Sequence, residues 1–132
     1  MSAYLFAYGT LQPEYAPPAI AHVVARLRLV GNGFASGVLY DLGGYPGAVP
    51  DPSSNERIRG VVLQLPDDAS VLRELDAFEE FYPDAPERSP FLRILHPVVL
   101  ATGGTLQCWV YVYNRNPASA RILPDGIYRR NG

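Results

Sequence analysis

Apolar residues fall along this chain in short runs separated by turn-forming residues, and only two stretches carry a helical spacing. Residues 4–8, Tyr-Leu-Phe-Ala-Tyr, form a compact aromatic and aliphatic run stopped by Gly9-Thr10, which predicts a buried strand running into a loop. Polar and apolar residues alternate over 26–30, Gly31-Asn32-Gly33 interrupts, and the extended pattern resumes over 35–40, predicting a bent strand or bulged hairpin. A turn-rich segment over 41–47 leads to a short apolar step at Ala48-Val49, then a polar loop and an alternating strand over 58–65. Residues 91–100 and 106–113 read as two further strands joined at Gly103-Gly104.

The first helical stretch follows Pro17-Pro18, where a first helical turn tolerates proline, and covers residues 19–25. The second is stronger: Val71, Leu72, Leu75 and Phe78 share one face after Asp67-Asp68, whose carboxylates suit a helix N-terminus. Three prolines make 81–90 a loop. The expected fold is therefore α+β, a small mixed β-barrel or curved sheet of about six strands with one or two flanking helices. At 132 residues the chain is expected to form one domain over 1–132.

Composition narrows the chemistry. With 48% hydrophobic and 18% charged residues the chain has enough apolar material to fold, and a net charge of -2 removes the basic footprint of a nucleic-acid binder. All eleven basic residues are arginine, which excludes lysine Schiff bases and the P-loop lysine. A lone Cys108 and two histidines, His22 and His96, offer no metal cluster, so no metal is expected. No basic n-region follows Met1 and no apolar run approaches membrane-spanning length, so no membrane partner and a cytoplasmic location are expected.

Two constellations could carry chemistry. Asp76, Glu79 and Glu80, at i, i+3 and i+4, crowd three carboxylates onto the C-terminal end of the better helix. The helix dipole and like-charge neighbours oppose ionisation there, so at least one should have a raised pKa, as a general base working near neutrality requires. Tyr8-Gly9-Thr10-Leu11, ending the first strand, offers backbone N–H groups that can hold an anion. Each motif also fits an ordinary reading, a solvated acidic helix end and a plain strand-ending turn. Trp109, Tyr111 and Tyr113 share one strand face, as barrel wall or as pocket lining, with Tyr113 expected to reach furthest toward a pocket. An interaction protein using this aromatic surface would instead expose Tyr111 and Tyr113. Cys108 points to the opposite face without a neighbouring base and reads as buried.

The order Tyr-Gly-Thr-Leu, Gly-Val-Leu-Tyr-Asp, Tyr-Pro-Gly-Ala, Arg-Gly-Val-Val, Leu-Asp-x-x-Glu and a late aromatic strand resembles the gamma-glutamylcyclotransferase-like family over most of residues 4–113. The resemblance implies a pocket between the first-strand loop and the glutamate of Leu-Asp-x-x-Glu, here Glu79. It implies that this glutamate deprotonates the α-amine of a small γ-glutamyl substrate, which cyclises to 5-oxoproline and expels an amine without a cofactor. Tyr8, Gly9, Thr10, Leu11 and Tyr113 are the substrate-binding residues it suggests; a non-catalytic small-molecule binding module on the same fold is the alternative. The chain departs from the pattern in two places: Glu80 stands where relatives have glycine, and Phe91 stands where relatives place a tyrosine ahead of an arginine. Tyr82, in the inserted loop, is the candidate to supply that missing hydroxyl.

Overall fold

The computed structural model describes residues 2–129. Strand β1 (Ala3–Ala7) leads into helix α1 (Pro18–Val24), then into the 14-residue strand β2 (Arg28–Asp41), β3 (Pro46–Pro50) and β4 (Arg57–Leu65). Helix α2 (Ala69–Phe78), strands β5 (Phe91–Leu100) and β6 (Thr105–Tyr113), and the two-residue β7 (Arg121–Ile122) complete the order. A single 3₁₀ turn at Pro86–Arg88 interrupts the expected 81–90 loop.

Sheet order β2-β4-β1-β6-β5 closes when β5 returns to β2 through Gly33↔Leu100 and Phe34↔Val99. The result is a five-stranded barrel in which only the β1–β6 pair is parallel. β2 serves two sheets: it pairs with β4 up to Ser36, through a bulge between Leu29 and Gly31, and from Gly37 on it pairs with β3, with β7 joining at Tyr40 and Asp41. Of the two readings of Gly31-Asn32-Gly33, a bent strand or a bulged hairpin, the structure has the first: β2 runs on through it as one continuous strand.

Strand side chains alternate between faces, so each barrel strand feeds two cores. Phe6, Leu39, Ile58, Val62, Cys108 and Val110 fill the barrel interior. Leu5, Ala7, Leu63 and Tyr111 face outward, where Ile20, Val23, Val71 and Leu75 of the two helices cover them. The helices begin as their sequences suggest, α1 with Pro18 in its first turn and α2 with the Asp68 carboxylate accepting from the Ser70 N–H at 2.9 Å. This arrangement brings the end of β1, the end of α2 and the outward face of β6 to one place.

Candidate active site

Two glycines fix the loop after β1. A Cβ on Gly60 of β4 would lie 2.3 Å from the Ala7 carbonyl oxygen, and one on Gly9 would lie 2.6 Å from Cγ of Pro46, so both positions exclude a side chain. Residues 8–11 are thereby pressed between β4 and β3. Among the described residues the N–H groups of Gly9, Thr10 and Leu11 have no acceptor. Tyr8 is buried; its hydroxyl donates to the Tyr111 carbonyl and accepts from the Ala48 N–H at 3.3 Å. Burial first, and the Glu79 charge second, push its pKa above the ordinary tyrosine value, so Tyr8 stays a neutral donor.

The end of α2 is held from two sides. Its backbone closes with the Phe81 N–H donating to the Asp76 carbonyl at 2.9 Å and the Glu80 N–H to the Ala77 carbonyl at 3.2 Å, while Glu80 takes the left-handed φ of 58°. That is the pattern of a Schellman termination, with glutamate where glycine is usual. The buried Asp76 side chain reaches the barrel instead of solvent. It accepts from Arg93 Nε at 2.7 Å and Nη2 at 3.2 Å, and from the Tyr111 hydroxyl at 2.7 Å. The Arg93 guanidinium lies 4.3 Å from the centre of the Trp109 ring.

Glu79, one turn on, has no hydrogen-bond partner or counter-ion among the described residues. Its pKa is raised from 4.5 to about 7, chiefly by burial and secondarily by the Glu80 charge. The raised carboxyl expected in this acidic cluster is therefore Glu79, but the cause differs from charge crowding. Asp76 is neutralised by Arg93, and the exposed Glu80 has left the helical path.

Glu79, residues 6–11, Tyr45, Pro46, Phe91 and Tyr111 line a pocket. It is narrow, about 40 Å³, and opens to solvent. Thr10 and Tyr45 also line a second, larger groove of about 830 Å³ beside it, walled by residues 121 and 123–125 and by Tyr128. Tyr8, Gly9, Thr10, Leu11 and Glu79 thus meet in one pocket. Tyr113 does not line it but packs behind Phe91, with ring centres 5.7 Å apart, while Tyr111 takes the lining place. Tyr82 is exposed and outside the pocket, its N–H donating to Ser89 Oγ at 2.8 Å. With Tyr111 buried and Tyr113 partly so, no broad aromatic surface exists on this strand. Cys108 lies inside the barrel, where burial pushes its thiol up to about 11.

Sequence reading offered Tyr111 as barrel wall or pocket lining, and it lines the pocket; it overlooked Tyr45 and Phe91 as lining residues and Arg93 as the partner of Asp76. A Gly-Gly-Tyr-Pro run reads as a turn, and Arg93 lies 17 residues from Asp76, so neither had a local signal. Among the described residues, no three His, Cys, Asp or Glu side chains come together to hold a metal ion, and no helix is long and apolar enough to cross a membrane.

The model of the gamma-glutamyl cyclotransferase, AIG2-like family matches residues 5–130. The chain belongs to this family. Solved structures agree in fold. YkqA from Bacillus subtilis superposes with a TM-score of 0.71 at 20% identity; the match covers 97% of this chain but 40% of YkqA, so the chain spans about two fifths of that relative. Protein ytfP from Escherichia coli superposes at 0.65 with 28% identity over 95% of each chain. A structure described as gamma-glutamyl cyclotransferase superposes at 0.64 with 18% identity over 87% of this chain and 68% of its own. No curated protein sequence matches the chain.

Proposed function

We propose that the protein cyclises a γ-glutamyl amine or peptide to 5-oxoproline and a free amine, with Glu79 as general base and then general acid. The observation that carries this reading is the Glu79 carboxyl, unpartnered in a pocket with the loop of residues 8–11, with a pKa near 7. A carboxyl of that pKa is about half ionised at neutral pH, so it can accept a proton and return one at low cost. The α-ammonium of the substrate gives its proton to Glu79. The freed amine attacks the γ-carbonyl carbon of the same molecule, and Glu79 returns the proton to the departing nitrogen as the carbon–nitrogen amide bond breaks; the second proton that the new ring nitrogen must lose then passes through the Glu79 carboxylate to the departing amine, which leaves as an ammonium. Nucleophile and electrophile share one molecule, so holding the chain folded supplies a high effective concentration without a covalent enzyme intermediate or a cofactor. The N–H groups of Gly9, Thr10 and Leu11 hold the α-carboxylate, which places the amine against Glu79.

Membership of the family and the likeness to a structure bearing the cyclotransferase name support this reading. Incubation with a panel of γ-glutamyl amides, followed by chromatography of 5-oxoproline, tests it. The wild-type protein is expected to release 5-oxoproline and Glu79→Gln to lose activity by roughly 10²–10⁴-fold. Equal release by both proteins sinks the role of Glu79. Binding of panel members without release by the wild type favours the non-catalytic binding module.

A further inference from the structure

The hydroxyl groups around the pocket are not equivalent. Four lining residues carry one: Tyr8, Thr10, Tyr45 and Tyr111. Two are engaged within the fold, Tyr8 on the Tyr111 carbonyl and Tyr111 on the Asp76 carboxylate. Neither can turn to a ligand without giving up that buried hydrogen bond, at a cost of about 1–3 kcal/mol. The hydroxyls of Thr10 and Tyr45 have no partner among the described residues. These same two residues line both the narrow pocket and the larger groove, so they stand at the junction between the two spaces.

The volumes say what that junction holds. The narrower pocket, about 40 Å³, admits only a small head group, whereas the groove of about 830 Å³ beside it takes the rest of a molecule. If the head group is the amino-acid end of a γ-glutamyl unit, the bond between head and remainder is the scissile amide, and it lies beside Thr10 and Tyr45. A phenol, with an ordinary pKa near 10, is a stronger donor than an aliphatic hydroxyl, and its bond strengthens as negative charge builds on the acceptor. Tyr45 is also half exposed, with its ring centre 6.4 Å from that of Phe91, so it can meet a ligand without unpacking the core.

We infer that Tyr45 is a further substrate-contacting residue: its phenol donates to the γ-carbonyl oxygen at the junction of the two cavities and stabilises the oxyanion formed when the α-amine attacks. The phenol gives up no proton; it keeps its hydrogen while Glu79 carries protons from the attacking nitrogen to the departing one. The assignment rests on the cyclisation reading above.

The test compares wild type, Tyr45→Phe and Tyr45→Ala on whichever γ-glutamyl amide the wild type turns over. Tyr45→Phe keeps the ring and removes only the donor. Its kcat is expected to fall roughly 10–100-fold with KM little changed, the low end of what loss of an oxyanion donor costs, because this site is open to solvent. Tyr45→Ala is expected to lose the same in kcat and to raise KM as well, since the ring wall is gone. A Tyr45→Phe enzyme with wild-type kcat overturns the assignment of Tyr45 and leaves the cyclisation reading standing. A wild-type protein that releases no 5-oxoproline from any panel member overturns both. Circular dichroism of the variants, expected to match wild type, separates loss of a donor from loss of fold.

Discussion

Asp76 and Glu79 are carboxylates one turn apart near the end of α2, and they meet opposite surroundings. Asp76 is buried with three donated hydrogen bonds, two of them from one guanidinium. Glu79 is partly buried with none among the described residues. Burial alone therefore does not decide what a carboxylate does. A desolvated charge with a matched cation is a fastener, and it ties the end of α2 to β5 and β6. A desolvated charge without one is pushed toward its neutral form and stays available to a ligand's proton. The pair also depends on itself: because Asp76 pins the helix end from one side, the carboxyl that follows it can be left unpaired on the other.

Breaking the fastener should produce the largest effect. Asp76→Ala leaves the Arg93 guanidinium largely buried without its counter-ion and the Tyr111 hydroxyl without its acceptor. Urea unfolding is expected to show a loss of about 3–5 kcal/mol. A loss below about 1 kcal/mol would mean that solvent reaches Arg93 freely and that the two carboxylates do not differ as described.

The unpaired partner should behave in the opposite sense. Glu79 has a pKa of about 7 in the folded chain and an ordinary value of 4.5 when unfolded. Between those values the folded state holds a proton that the unfolded state has released. Its contribution to stability is therefore greatest below pH 4.5 and declines as pH rises to about 7, by about 3 kcal/mol at most. Glu79→Gln removes that decline. Unfolding midpoints at pH 5 and pH 8 should show the variant gaining on wild type at the higher pH. An identical pH dependence in the two proteins would show that Glu79 is not desolvated.

What the sequence made legible follows from the range of each interaction. The 3.6-residue spacing and Asp68 cap placed α2 within two residues, and that placement brought Glu79 to the helix end beside the loop of residues 8–11 through the family pattern. Local charge crowding pointed to a raised carboxyl but not to burial as its main cause, because burial is set by β1, β3 and β6, remote in the chain. A small barrel or curved sheet was expected, but not the β2–β5 pairing that closes it, since two residue pairs 67 and 65 positions apart carry it. Tyr45 and Phe91 sit next to proline in segments that read as turn and strand start. Tyr45 reaches the pocket because the far half of β2 pairs with β3 beside the loop after β1, and Phe91 because β5 pairs with β6, Phe91 opposite Tyr113.

The smallest effect tests how far the remaining acid tunes the pair. Glu80 occupies the left-handed position that ends α2, with φ of 58°, where a side chain costs about 1 kcal/mol relative to glycine. Its charge is also the second cause, after burial, of the raised Glu79 pKa. Glu80→Gly removes strain and charge together, so two changes of opposite use are expected: stability rises by about 0.5–1 kcal/mol, and Glu79 titrates at a lower pH. Because burial is the larger cause, the pKa should fall only part of the way from 7 toward 4.5. Carbon-detected NMR titration of the Glu79 carboxyl, alongside urea unfolding, measures both. A fall all the way to about 4.5 would make the neighbouring charge, not desolvation, the source of the shift. The contrast with Asp76 would then reduce to which acid has a like-charged neighbour. A partial fall keeps burial without a partner as the feature that sets Glu79 apart.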